Sequence, residues 1–129
     1  MKSLPTLLLF LSAAIFLLNA CGPKEADYLK LGYSDGVYSD PDTGKVFTGI
    51  ARQKNPDGKL RGEYPFKNGR IHGTVKEWHA SGKPSAETEF ENGERTGRNI
   101  EWKEDGTPFR ERVYHRDRIV SEKNYSPAK

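Results

Sequence analysis

Between Val46 and Tyr125 the apolar residues recur at alternate positions, not at the spacing of three and four that marks an amphipathic helix. The alternating segments are about seven to nine residues long, and glycine-bearing turns separate them. This pattern predicts strands over Val46 to Gln53, Lys59 to Phe66, Arg70 to Trp78, Pro84 to Phe90, Thr96 to Lys103, Pro108 to Tyr114 and Arg118 to Tyr125. One further short edge strand, around Val37-Tyr38, is predicted between the turns Asp35-Gly36 and Asp40-Pro41-Asp42. Side chains two apart share a strand face, so Leu60, Gly62, Tyr64 and Phe66 belong together, as do Pro84, Ala86 and Phe90, and Ile100 with Trp102. Val75 has the opposite parity to Trp78, and Phe109 the opposite parity to Tyr114.

The alternation is itself repeated at a fixed period. Phe66 matches Phe90, Trp78 matches Trp102, and Gly69 matches Gly93; Gly49, Gly73 and Gly97 form one glycine column, and Gly58, Gly82 and Gly106 another. A period of this size marks one supersecondary unit stacked to share a core that no single copy can bury. Two kinds of turn punctuate each copy. Asn68-Gly69 and Asn92-Gly93 belong to one; Asp57-Gly58, Ser81-Gly82 and Asp105-Gly106 belong to the other. Both suit tight hairpins, because asparagine, aspartate and glycine tolerate positive φ in the sense that matches strand twist. The expected architecture is therefore all-β: an elongated, twisted, single-layer antiparallel meander of β-hairpins. Its visible core would be two aromatic rows, Phe66, Phe90 and Tyr114 in one and Trp78 with Trp102 in the other.

The segments Phe66-Lys67-Asn68-Gly69-Arg70-Ile71-His72-Gly73 and Phe90-Glu91-Asn92-Gly93-Glu94-Arg95-Thr96-Gly97, each running on to Trp78 or Trp102, resemble the bacterial variant of the MORN repeat. The resemblance extends from about Tyr33 to Tyr125. In the last copy Asp117 and Ser121 stand where the two glycines would be, as in a terminal cap. Members of the family are often labelled toxin-antitoxin or immunity components, and MORN repeats more widely are associated with membrane lipids and protein assembly. The resemblance thus implies a repeat fold and a binding role without catalysis.

The chain begins differently. Lys2 precedes an apolar run from Leu7 to Leu18, broken only by Ser12 and followed by Asn19, Ala20 and Cys21. The run is too short to span roughly 30 Å of hydrocarbon and has the form of a cleaved signal peptide. Leu18-Asn19-Ala20-Cys21 resembles the lipobox that directs lipidation of the cysteine. This predicts a leader over 1–20, a lipidated N-terminus and polar linker over 21–32, the repeat domain over 33–125 and a tail over 126–129. Cys21 is the only cysteine, so no disulfide is available. Acyl chains on Cys21 would tether the domain to a membrane. Gly22 is not the aspartate of the inner-membrane retention rule, which favours the outer membrane of a bacterial envelope.

Charge and chemistry add exclusions. The 21 basic and 18 acidic side chains are interleaved, without the basic run expected of a nucleic-acid or anionic-lipid surface. His72, His79 and His115 have no metal-ligand spacing, no serine sits in a nucleophile elbow, and each glycine column lacks the residues of a phosphate loop. No catalytic residue, metal or cofactor is predicted. The remaining candidate is surface. Tyr64, Phe66, Trp78, Phe90, Trp102 and Tyr114 are either core or the lining of a groove for an extended partner, and the open sheet edges offer strand pairing to a protein or to a second copy. The function expected is a lipid-anchored, protein-binding envelope module, antitoxin- or immunity-like in its narrower form. The alternative is a structural envelope protein contacting peptidoglycan or lipid.

Overall fold

A computed structural model describes residues 22–125. The leader, the lipobox residues Leu18, Asn19 and Ala20, the lipidation site Cys21 and the tail over 126–129 lie outside the described residues. Eleven strands follow in order: β1 (Glu25–Asp27), β2 (Gly32–Ser34), β3 (Val37–Ser39), β4 (Gly49–Lys54), β5 (Leu60–Lys67), β6 (Arg70–Ile71), β7 (Gly73–Trp78), β8 (Pro84–Glu91), β9 (Glu94–Trp102), β10 (Pro108–His115) and β11 (Arg118–Asn124). They form one large sheet in the order β1-β4-β5-β7-β8-β9-β10-β11, with β6 paired to β5, while β2 and β3 make a separate hairpin. From β4 to β11 every pairing is antiparallel. The meander of hairpins expected from the alternation is the fold.

The two turn types have distinct geometry. Asn68-Gly69 (φ 51° and 73°) and Asn92-Gly93 (φ 50° and 87°) place both central residues in the left-handed region, as a type I′ hairpin requires. Gly58, Gly82 and Gly106 (φ 85°, 90° and 82°) instead close three-residue loops. In these the glycine N–H donates back to the carbonyl of Asn55, His79 or Lys103 at 2.9 Å. The final copy keeps its type I′ turn without glycine, at Arg116-Asp117 (φ 47° and 62°). Such backbone costs on the order of 1 kcal/mol per non-glycine residue. Asp117 offsets part of that, because its carboxylate accepts the Arg95 N–H at 3.1 Å and the Arg95 Nε–H at 2.9 Å.

Each type I′ turn is also stitched to the copy before it. The N–H groups of Gly69, Gly93 and Asp117 donate to the carbonyls of Phe47, Ile71 and Arg95, at 2.7, 2.8 and 3.0 Å. The stitch thus recurs with the repeat, always between equivalent positions. The Gly73 and Gly97 column marks the adjoining irregularity. The predicted strand Arg70 to Trp78 is split there into β6 and β7, and the β8 to β9 register shifts between Thr88 and Phe90. Gly73 and Gly97 have φ of 113° and 63°, as glycine at a bulge permits.

The N-terminal part departs most from expectation. The linker expected over 21–32 is partly folded: 25–27 form β1, parallel to β4, with Glu25 opposite Ile50 and Ala26 opposite Ala51. A 3-10 helix, Tyr28–Lys30, follows. The single edge strand expected at Val37-Tyr38 is the hairpin β2–β3, fixed to the repeats by the Tyr38 N–H on the Gly69 carbonyl at 2.8 Å and the Phe47 N–H on the Tyr38 carbonyl at 3.0 Å. These elements fold over the first copy and create the core there. Phe47, Ala51 and Phe66 are buried, with Ala26, Tyr28, Leu31, Tyr38, Tyr64 and Ile71 packed against them. Tyr38 and Phe47 meet Phe66 edge-on, at 4.9 and 5.6 Å between ring centroids. The apolar cluster is therefore concentrated at one end of the sheet and does not run along an aromatic row.

Candidate binding surfaces

Register separates the six aromatic residues predicted to share one binding face. Gly62 pairs with Glu77, Glu77 with Ala86, and Ala86 with Glu101, so these residues and the positions two away lie on one face of the sheet. Tyr64, Phe66, Phe90 and Tyr114 belong to it. Trp78 and Trp102 each follow one of these glutamates in its strand and lie on the opposite face. The two expected rows, Phe66 with Phe90 and Tyr114, and Trp78 with Trp102, therefore lie on opposite faces, and the six residues do not line one binding face. The two-residue hairpin at Asn68-Gly69 pairs Phe66 with Ile71, and the irregularity that follows adds two residues and keeps the alternation, so matched chain parity on either side of the turn means opposite faces.

The first face is occupied by the protein itself. Phe66 is in the core, Tyr28 stacks on Tyr64, and Tyr114 is 5% exposed beneath the Arg95 guanidinium, which lies 4.6 Å from its ring centroid. Beyond the cover supplied by the N-terminal elements, this face carries an ion-pair ladder. Arg110 holds both oxygens of Glu101 at 2.7 and 3.0 Å, Arg112 reaches Glu101 at 3.3 Å, and Arg112 also holds Glu122 at 2.6 Å. Arg112 and the amide of Asn124 keep the Glu122 carboxyl below its usual range. Asn99 is buried beside the ladder and donates to Thr88 Oγ1 at 2.9 Å. A shallow groove of about 370 Å³ runs over Glu77, Thr88, Asn99, Arg112 and Tyr114. Its arginines are matched by acids of the same sheet, so it presents little net charge to a ligand.

The opposite face is patterned differently. Arg98 pairs with Glu111 at 2.8 Å, and the Tyr125 hydroxyl donates to the same carboxylate at 3.0 Å; together they lower the Glu111 pKa. Trp78 and Trp102 are half-buried on this face. His79 Nε2 lies 2.9 Å from the Trp102 carbonyl oxygen, which joins two successive copies. The predicted turn glycines Gly58, Gly69, Gly82, Gly93 and Gly106 sit at loop tips as backbone devices, Gly69 packed against Val37 and Tyr38. Among the described residues no cluster of three or more His, Cys, Asp or Glu side chains is placed to hold a metal ion. No helix there is long and apolar enough to cross a membrane.

Sequence reasoning missed one buried charge. Asp40 is 4% exposed, pairs with the Lys24 ammonium, and accepts the N–H groups of Asp42 and Thr43 at 2.9 Å each. It ties the chain just before β1 to the lead-in loop. The Asx turn was legible in Asp40-Pro41-Asp42, but the lysine partner lies on the far side of β1 and the β2–β3 hairpin and carried no local signal.

Residues 47–68 and 71–92 each match the family described as MORN repeat variant. Two copies of the unit are thus similar to that repeat. Each matched segment contains one three-residue-loop hairpin, β4–β5 or β7–β8. Residues 95–116 lie outside the matched segments but hold the equivalent hairpin, β9–β10, with the same loop at Lys103 to Thr107. No curated protein and no solved structure matches the chain. MORN repeats supply a repeat-based binding or structural module and bring no catalytic machinery of their own.

Proposed function

We propose that the protein is a non-catalytic binding module, tethered to the bacterial envelope through a lipid on Cys21, that holds a protein partner by strand addition at β11. The observation that carries this reading is the state of that strand. Among the described residues β11 ends the sheet order and pairs only with β10; all seven of its residues are exposed, with Ile119 at 50% and Val120 at 62%. An edge of this kind presents unpaired N–H and C=O groups together with apolar side chains, which is what an incoming strand requires. The same edge would accept a second copy. The outer membrane is the favoured address, and neutralisation of a toxin is the narrower form of the proposal.

The test compares capture from a native envelope extract by immobilised residues 22–129 and by the same chain carrying Ile119→Lys and Val120→Lys. Charge on the edge opposes pairing while leaving the β10 ladder intact. One stoichiometric protein retained by the wild type and lost from the variant supports the proposal; equal retention by both sinks it. A structural role against the cell wall is the second reading, favoured by the interleaved charges along both faces. It predicts retention on isolated sacculi that weakens steeply with salt.

A further inference from the structure

Trp78 and Trp102 stand level with each other on the face away from the core. Glu77 and Glu101 pair with the same residue, Ala86, from its two sides, and Trp78 goes on to pair with Pro84 across a bulge in β8, so the tryptophans that follow the two glutamates lie close to one line across β8. Their separation is two strand spacings, roughly 9–10 Å. They are the only tryptophans in the chain and neither belongs to the hydrophobic cluster. Trp102 borders a groove of about 280 Å³ with Pro84, Glu87 and Gly106. Glu87 lies on this face between Lys76 and Ile100, and among the described residues its carboxylate makes no ion pair of the kind that occupies Glu63, Glu101, Glu111 and Glu122.

We propose that this face binds a β-1,4-linked polysaccharide strand laid across the sheet. Two alternate sugars would stack on Trp78 and Trp102, and Glu87 would accept hydrogen bonds from hydroxyls between them. The chemistry of each part points the same way. A half-buried indole on a stiff sheet offers a flat apolar platform, and the C–H face of a pyranose is its complement. A planar carboxylate suits neighbouring hydroxyls, and alternate sugars of a β-1,4-linked chain present the same face at about the interval between the two strands that carry the tryptophans. A peptide is a poorer occupant, because β8 already pairs on both sides and an extended chain lying across it would gain no main-chain bonds. The site is separate from the β11 edge and does not depend on it.

Intrinsic fluorescence reads the proposal directly, since both emitters are in the site. The full chain, purified in detergent micelles, is titrated with chitohexaose and, in parallel, with cellohexaose. Saturable quenching or a blue shift with chitohexaose is expected, weakened about tenfold in Glu87→Gln. Trp102→Phe should leave a diminished signal from Trp78 and comparably weaker binding. A response to both sugars would show that the linkage suffices, and a response to chitohexaose alone would add the acetamido group to the recognition. No saturable change with either sugar, or binding undiminished in both Glu87→Gln and Trp102→Phe with wild-type circular dichroism, would overturn it.

Discussion

Tyr28 lies on Tyr64 with ring centroids 4.2 Å apart and planes 23° from parallel. The first residue comes from the 3-10 helix and the second from the opening hairpin of the repeats. The contact closes the apolar cluster, and it exists only because β1 pairs with β4 and delivers residue 28 over the sheet.

Tyr28→Ala should therefore destabilise the protein by about 1–3 kcal/mol, from the lost aromatic pair and the area it covers. Urea denaturation followed by circular dichroism measures this. Tyr28→Phe keeps the stacked ring and loses only the 3.4 Å hydroxyl contact with Tyr38, so its cost should be the smaller.

The second prediction concerns acid. The Lys24 ammonium beside Asp40, with the N–H groups of Thr43 and Asp42, holds that carboxyl down at about 2, against an ordinary value of 3.8. A depressed acid stabilises the fold above its ordinary pKa, and that contribution is lost as pH falls toward about 2. Thermal midpoints of wild type and Asp40→Asn should differ most above pH 5 and converge as the pH approaches 2. Parallel curves throughout would show that Asp40 is not the acid-sensitive group.

At the alkaline end, the hydrogen bond to Tyr28, followed by burial, raises the Tyr38 hydroxyl to about 12. A raised tyrosine stabilises the fold in full below pH 10, and the contribution disappears as pH rises through 12. Spectrophotometric titration should find Tyr38 ionising late in the wild type, beside Tyr64, whose hydroxyl burial also raises. In Tyr28→Phe the Tyr38 step should move toward ordinary values.

Gly49 provides a steric test of how β1 is attached. Its φ is 153°, and a Cβ built there would collide with the Lys24 carbonyl, the oxygen that accepts the Ile50 N–H at 2.8 Å. Gly49→Ala should cost about 1–3 kcal/mol and expose the Ile50 amide to hydrogen exchange. Gly58→Ala meets nothing within 4 Å, so its cost should be limited to the backbone penalty of about 1 kcal/mol.

How far the chain discloses this arrangement varies from residue to residue. The positive φ at Gly58, Gly69, Gly82, Gly93 and Gly106 follows from two or three neighbouring residues, and so do the strand limits between the turns. The face taken by Trp78 follows too, because the two-residue hairpin sets Phe66 opposite Ile71 and the two residues added at His72-Gly73 leave the alternation unchanged. Asp117 shows where local reading stops: the missing glycine suggests a decayed turn, but a carboxylate reaching Arg95 preserves it.

The sequence alone determined the period, the two kinds of hairpin and the all-β meander, because those rest on local backbone preference and on side-chain alternation within one strand. Only the tertiary structure decided that 25–31 is folded and not linker and that the core gathers over the first copy. Both outcomes depend on pairing between residues distant in the chain, such as Glu25 with Ile50, which no local preference records.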